Sequence, residues 1–228
     1  MKKRSFSIKD PGSAITHFIA LILALLGIAP LLLKAAREPD MLHVISMAVF
    51  ILSMVLLYAA STIYHTLDIN EKVNRRLRKL DHMMIFILIA GSYTPVCLIA
   101  LHGRTGTLLC AAVWAAAIFG ILVKAFWINC PKWFSSLIYI AMGWLCVFAF
   151  NPIFHSLSRP AFGWLLAGGI IYTVGGIIYA LKLPPQKFRF SRDLSSLCHG
   201  RKLLPLYCYV LFRSAYACIK FSSRSSRF

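Results

Sequence analysis

Long apolar stretches separated by short polar segments run along most of this chain. An α-helix needs about 20 apolar residues, at a rise of about 1.5 Å each, to cross the core of a bilayer. The pattern predicts an all-α polytopic membrane protein, a bundle of seven transmembrane helices in which six are clear and the seventh is degraded. The predicted spans are 14–33, 42–65, 81–101, 107–126, 133–150, 162–181 and 203–219.

The composition supports a membrane protein. Of the 228 residues, 59% are hydrophobic and only 14% are charged, whereas an average soluble domain has about 25% charged residues. The net charge of +18 lies between the apolar runs, which indicates membrane topology and contact with anionic headgroups. We therefore expect membrane lipids as partners and no nucleic acid. The sequence identifies no protein partner.

The distribution of Lys and Arg predicts the orientation. With a cytoplasmic N-terminus, the inner segments carry 17 of the 25 Lys and Arg and the outer loops carry 4. The positive-inside rule therefore favours a cytoplasmic N-terminus. The remaining four, from Arg213 onward, do not fit. If the seventh span crosses the bilayer, Arg213 lies within the membrane and the other three lie outside.

The cysteines are better explained as apolar residues than as a framework of disulfides. Most of the seven lie inside apolar runs, with no C-x-x-C pair and no zinc-ribbon spacing. A thiol in such a place behaves as a small hydrophobe, so we expect no disulfide framework. The cysteines are Cys97, Cys110, Cys130, Cys146, Cys198, Cys208 and Cys218.

Four polar side chains are predicted at one depth, near the cytoplasmic ends of the first three spans. Ser61 and His65 lie four residues apart, on one face of span 2. Asp81 begins span 3, and His17 lies near the inner end of span 1. Histidine and carboxylate can ligate zinc, although a catalytic zinc site needs three protein ligands. Spacing alone leaves open a partial metal site or ordinary polar helix ends, and it favours the latter.

The motifs around these residues resemble the bacterial hemolysin III family, which belongs with the progestin and adipoQ receptors and the alkaline ceramidases. They are S-x-x-x-H at Ser61–His65, KLDHMMIFILIAGSYTP at 79–95 and AITH ending at His17. The resemblance covers about residues 10–182. The family's upstream Glu and Asn are replaced here by Asp10 and Ser13.

The resemblance implies a seven-helix fold with an internal zinc site. It implies that His65 is a metal ligand, that Asp81 and Ser61 are the catalytic residues, with Asp81 holding the zinc-bound water, and that His17 is an accessory residue. The implied activity is zinc-dependent hydrolysis of a lipid amide or ester at the cytoplasmic edge of the bacterial plasma membrane. The alternatives are a pore-forming cytolysin and a receptor-like membrane-homeostasis protein.

The chain departs from the family where the other two zinc ligands should occur. No H-x-x-x-H pair is present, and residues 189–211 read RFSRDLSSLCHGRKLLPLYCYVL, with only His199. A DNA string that encodes an apolar H-x-x-x-H helix in one frame can encode this segment in another. We hypothesise a frameshift near residues 187–190, which divides the chain into a transmembrane bundle at 1–187 and a divergent or out-of-frame segment at 188–228. We expect weak or absent zinc binding and an inactive chain.

Overall fold

The fold is all-α, as the apolar pattern predicts. The computed structural model describes residues 8–101, 103–127, 131–157 and 159–181, and within these ranges every regular element is helical. In the part of the chain that the structure describes, five helical segments are long and apolar enough to cross a membrane. Those segments are Pro11–Ala35, Met41–Thr66, Glu71–Ala100, Gly103–Phe126 and Trp133–Ser156.

The elements follow the order of the predicted spans. The first four helices are α1 (Pro11–Ala35), α2 (Met41–Thr66), α3 (Glu71–Pro95) and α4 (Gly103–Phe126). They are followed by α5 (Lys132–Gly143), α6 (Phe150–Ser156) and α7 (Arg159–Leu181). The sixth predicted span, 162–181, lies within α7, whose described apolar segment is Phe162–Ile171. The seventh predicted span and the domain boundary near residue 187 lie outside the described residues.

The third helix begins ten residues before the predicted span. The basic segment expected as a connection before Asp81 is helical, so Asp81 lies inside α3 rather than at its first residue. Asn70 caps this helix because its side-chain oxygen accepts a hydrogen bond from the amide of Val73 at 2.9 Å. Glu71 then places a negative charge in the first turn, next to the positive end of the helix dipole. A capping side chain and an acidic first turn both mark the start of a helix, and a hydropathy profile detects neither of them.

Proline explains one irregularity in the bundle. Pro95 has no amide hydrogen, so the regular ladder of α-helical hydrogen bonds is interrupted there. The helix continues as a π-helical turn over Val96–Ala100. Pro152 lies in the first turn of α6, where a missing amide hydrogen costs little.

The fifth predicted span is a broken helix. The end of α5 is followed by a 3₁₀ segment, Leu145–Ala149, and then by α6. Tyr93 of α3 supports this break: its hydroxyl donates to the carbonyl of Gly143 at 2.5 Å and accepts from the amide of Cys146 at 3.1 Å. Backbone groups released from the helical ladder therefore find a side-chain partner inside the bundle.

Two packed cores hold the helices together. One joins α1, α2 and the face of α3 that carries Leu88, and it includes the fully buried Tyr58. The other joins α3 to α4, α5 and α6 around Phe86. Helix α2 approaches α3 closely at Gly91, where an added Cβ would lie 2.3 Å from the hydroxyl oxygen of Ser53. This close contact between small residues brings together the two helices that carry Ser61 and Asp81.

Candidate functional site

The C-terminal part of α2 carries one buried polar face. Tyr58, Ser61 and His65 are spaced by three and four residues, so their side chains share that face. Tyr58 is fully buried, and Ser61 is 2% exposed. The side chain of His65 is 16% exposed, at the end of the helix. The exposure of these side chains therefore increases towards the end of the helix that the positive-inside rule assigns to the cytoplasm.

Asp81 faces this polar surface from α3. Its carboxylate is buried and accepts a hydrogen bond from the hydroxyl of Ser61, and His65 lies close enough to interact with it electrostatically. The structure therefore brings together Ser61 and His65 of the S-x-x-x-H motif and Asp81 of the motif at 79–95. A carboxylate in an apolar bundle is costly unless hydrogen-bonded, and Ser61 provides such a bond.

His17 completes the predicted set from α1. It is 5% exposed, and its imidazole ring centroid lies 5.4 Å from that of His65 and 6.0 Å from that of Tyr58. The ring meets Tyr58 edge-on and lies tilted against His65. The first three helices thus contribute to a single cluster, which we call the inner polar cluster: His17, Ser61, His65 and Asp81.

The segment that leads into α1 also contacts the cluster. The carboxylate oxygen Oδ2 of Asp10 lies 3.4 Å from Nδ1 of His65, and the amide of Asp10 donates to the carbonyl of His65 at 3.0 Å. The ammonium of Lys9 lies 3.8 Å from the centroid of the Tyr64 ring. Three contacts therefore fasten this segment to the end of α2. Asp10 replaces the family's Glu, and its contact with His65 is a feature that residue spacing does not predict.

His82 follows Asp81 on α3 and contacts its carboxylate. The Nδ1 atom of His82 lies 3.5 Å from Oδ2 of Asp81 and 2.8 Å from the carbonyl oxygen of Arg78. Its own carbonyl accepts a hydrogen bond from the hydroxyl of Tyr139 at 3.0 Å, which links the cluster to α5. Consecutive helical residues diverge, but the imidazole is long enough to reach back to the carboxylate.

Two other histidines in the part of the chain that the structure describes, His43 and His155, are separate from the cluster. His43 is buried near the start of α2, 22 residues before His65, which corresponds to about 33 Å along a helix. His155 is exposed on the short helix α6. His102 and His199 lie outside the described residues. The inner polar cluster is therefore confined to one end of the bundle.

The described residues do not by themselves form a zinc site. Within the four described ranges, no group of three His, Cys, Asp or Glu side chains is arranged to hold a metal ion. His65 and Asp81 supply one imidazole and one carboxylate, fewer donors than a zinc ion takes from a protein. The position at which the resemblance implies the other two histidines, 189–211, lies outside the described residues.

The fold and the cluster together define a class: a polytopic all-α membrane protein with a polar cluster at one end of its first three helices. A family model described as haemolysin-III related matches residues 7–200. The chain belongs to this family. Because the match extends from residue 7 to residue 200, it includes all four residues of the inner polar cluster as well as Asp10.

Individual relatives agree with this assignment. Hemolysin-3 of Bacillus cereus is 40% identical over 180 residues, which are 78% of this chain and 82% of the relative. The Hemolysin-3 homolog of Bacillus subtilis (strain 168) is 38% identical over 181 residues, or 79% and 84% of the two chains. The adiponectin receptor protein of Drosophila melanogaster is 24% identical over 206 residues, which span 83% of this chain but 46% of the receptor. This more distant similarity supports the wider superfamily.

Proposed function

We propose that the inner polar cluster is half of a hydrolytic metal site in a hemolysin III-type membrane protein of the bacterial plasma membrane. The observation that carries the proposal is the buried hydrogen bond from Ser61 to the carboxylate of Asp81, with His65 and His17 beside it. The proposed substrate is the amide or ester of a membrane lipid, reached from the cytoplasmic edge of the bilayer. The proposed partners are therefore lipids, and the proposal involves no nucleic acid.

The chemistry of the cluster supports this role. A buried carboxylate that is held by a serine hydroxyl is positioned to accept a proton from water or to orient it. Asp10 contacts one ring nitrogen of His65 at 3.4 Å, and a carboxylate in that position orients an imidazole whose other nitrogen serves as a ligand. Zinc would supply a Lewis acid and an activated water in the parent family. Because the sequence contains no H-x-x-x-H pair to supply the other two ligands, we propose weak or absent zinc binding and impaired activity in this chain.

A restored version of the chain tests the proposal. Residues 189–211 would be replaced by FGFHEIFHLFVMAGSFCHYIVMF, which contains the H-x-x-x-H pair on an apolar segment. Both proteins would be purified in detergent, and their zinc content measured by mass spectrometry of the metal. We expect little zinc in the original chain and about one zinc per restored chain. Stoichiometric zinc in the original chain would contradict the half-site.

Product analysis separates metal binding from hydrolysis. Membrane lipids would be incubated with the restored protein, and the released fatty acid and the remaining headgroup product quantified. We expect turnover by the restored protein, none by its Asp81→Ala variant, and retention of the helical circular dichroism signal by both. Equal turnover with and without Asp81 would remove the carboxylate from the mechanism.

The names of the two Bacillus relatives, both hemolysins, favour a second candidate, a pore-forming cytolysin. Dye-loaded liposomes distinguish it from the hydrolase, because a pore releases dye without changing the lipid. Leakage that survives Asp81→Ala without lipid products would favour the pore. The name of the third relative favours a receptor-like protein, for which ligand binding to the cluster would occur without leakage or turnover.

A further inference from the structure

A second group of reactive side chains lies far from the inner polar cluster, in the half of the bundle that the orientation predicts to be outer. Cys97 lies in the π-helical turn after Pro95 and is fully buried. Cys110 lies on α4 and is half-buried, and Cys146 lies in the 3₁₀ segment after α5. All three are free thiols in the structure. The proposed hydrolytic function uses none of them.

Backbone packing brings Cys97 and Cys110 together. A Cβ added to Gly106 would lie 2.0 Å from the carbonyl oxygen of Cys97, so α4 crosses directly over the π-helical turn at this point. Cys110 lies one helical turn after Gly106 and therefore on the same face of α4. The thiol of Cys97 donates a hydrogen bond to the sulfur of Cys110. The two sulfurs are thus neighbours because of how the helices cross.

Cys146 has a different set of contacts. Its amide donates to the hydroxyl of Tyr93 at 3.1 Å, and its thiol donates to the carbonyl of Gly143 at 3.6 Å. Both contacts belong to the supported break between α5 and α6. Cys146 also lies within electrostatic reach of Cys97, but the thiol–thiol hydrogen bond joins Cys97 to Cys110, and this distinguishes the pair from the third cysteine.

We propose that Cys97 and Cys110 form a reversible dithiol–disulfide couple that is oxidised by a lipid-soluble quinone. Cys110 lies seven residues after the first residue of α4, which is about 10 Å along the helix. An oxidant dissolved in the bilayer reaches that depth more readily than a water-soluble one. The proposal is independent of the proposed hydrolytic function, because it involves neither the inner polar cluster nor zinc.

The redox step balances with the quinone as electron acceptor. The partly exposed sulfur of Cys110 adds to a ring carbon of the quinone, and its proton passes to a quinone oxygen. The sulfur of Cys97 then attacks the sulfur of Cys110, the carbon–sulfur bond breaks, and the proton of Cys97 passes to the leaving ring. Two thiols and one quinone thereby become one disulfide and one hydroquinone. A dithiol reductant reverses the change by thiol–disulfide exchange.

The bond would join the end of the third span to the start of α4. Helix α4 begins at Gly103, which has a positive φ of 65°. A disulfide between Cys97 and Cys110 would close a small loop between the two helices. Oxidation would therefore fix the crossing of the two helices, and reduction would release it.

Peptide mass spectrometry on the full chain in lipid nanodiscs tests the proposal. The protein would be reduced, freed of reductant, exposed to decylubiquinone, quenched with acid and alkylated before digestion. We expect a crosslinked pair of peptides containing Cys97 and Cys110, with the loss of two hydrogens and an equal amount of hydroquinone. Dithiothreitol should restore both thiols. Oxidised glutathione without quinone serves as the water-soluble comparison.

Serine variants provide the matched controls. Cys97→Ser and Cys110→Ser should each abolish the crosslink and the stoichiometric hydroquinone, whereas Cys146→Ser should retain both. A Cys97–Cys110 crosslink that forms together with an equal amount of hydroquinone would support the dithiol–disulfide couple. No crosslink in folded protein, or a crosslink that involves Cys146 instead, would overturn it. Faster oxidation by glutathione than by the quinone would overturn the choice of oxidant.

Discussion

The contact between Gly91 and Ser53 gives the sharpest test of how the bundle positions its polar cluster. In Gly91→Ala, the new Cβ would lie 2.3 Å from the hydroxyl oxygen and 2.6 Å from the Cβ of Ser53, and both residues are buried. An ordinary contact requires a separation of about 3.4 Å or more, so α2 and α3 must move apart by about 1 Å. Asp81 and Ser61 lie on these two helices, ten and eight residues away, and their hydrogen bond depends on the same approach.

Two opposing contributions determine how much Gly91→Ala changes the free energy of unfolding. Overpacking a buried contact costs about 1–3 kcal/mol, whereas replacing Gly by Ala inside a helix returns up to about 1 kcal/mol. We therefore expect Gly91→Ala to lower the free energy of unfolding by about 1–2 kcal/mol. Ser53→Gly removes the atoms that the new methyl would meet, at the cost of a glycine in α2. The double variant should be more stable than the sum of the two single changes predicts, by at least about 0.5 kcal/mol.

The assay is equilibrium unfolding in mixed micelles, followed by circular dichroism. Gly169→Ala is the control, because nothing lies within 4 Å of the position where its Cβ would be. We expect this control to be neutral or slightly stabilising. The reasoning would be refuted if Gly91→Ala behaved like the control, or if the effects of Gly91→Ala and Ser53→Gly were simply additive.

Three further predictions concern individual hydrogen bonds. Asn70→Ala should lower the stability by about 1 kcal/mol because α3 loses its N-cap, and Asn70→Asp should not; thermal unfolding of both variants measures the difference. Tyr93→Phe should cost about 1–3 kcal/mol because the amide of Cys146 loses a partly buried partner, and an unchanged melting temperature would contradict the role of this hydroxyl in the helix break. Asp10→Ala should shift the imidazole resonances of His65 in a spectrum of selectively labelled protein, whereas an unchanged spectrum would show that the contact is absent in micelles.

The membrane character of the protein could be predicted from the sequence because it depends on local composition. A helix that satisfies its own backbone can cross a bilayer whatever its neighbours are, so apolar length alone indicates the spans. The five membrane-length helices follow the first five predicted spans for this reason. The boundary errors occurred where another local signal competed: the cap at Asn70 extended α3 into a basic segment, and a tyrosine from another helix stabilised the break before α6.

The candidate site, like the fold, was predictable from the sequence only in part. Ser61, His65, Asp81 and His17 could be selected from spacing, depth and a family motif, and the structure brings them together. The chemical roles assigned to them remain predictions, as does the frameshift in the segment after residue 187. The contacts of Asp10 with His65 and of His82 with Asp81 were not predictable, because they depend on how the chain enters α1 and on the direction of one imidazole.

Hydropathy, charge and helical period are enough to predict which residues enter the bilayer and which polar residues share its predicted cytoplasmic edge. The contacts between these polar groups depend instead on how the helices cross. Gly91 brings α2 against α3 so that Ser61 can reach Asp81, and Gly106 brings α4 over the π-helical turn so that Cys110 meets Cys97. The physical reason is that a helix crossing depends on the volumes of side chains on two helices at once, and no single stretch of sequence contains both.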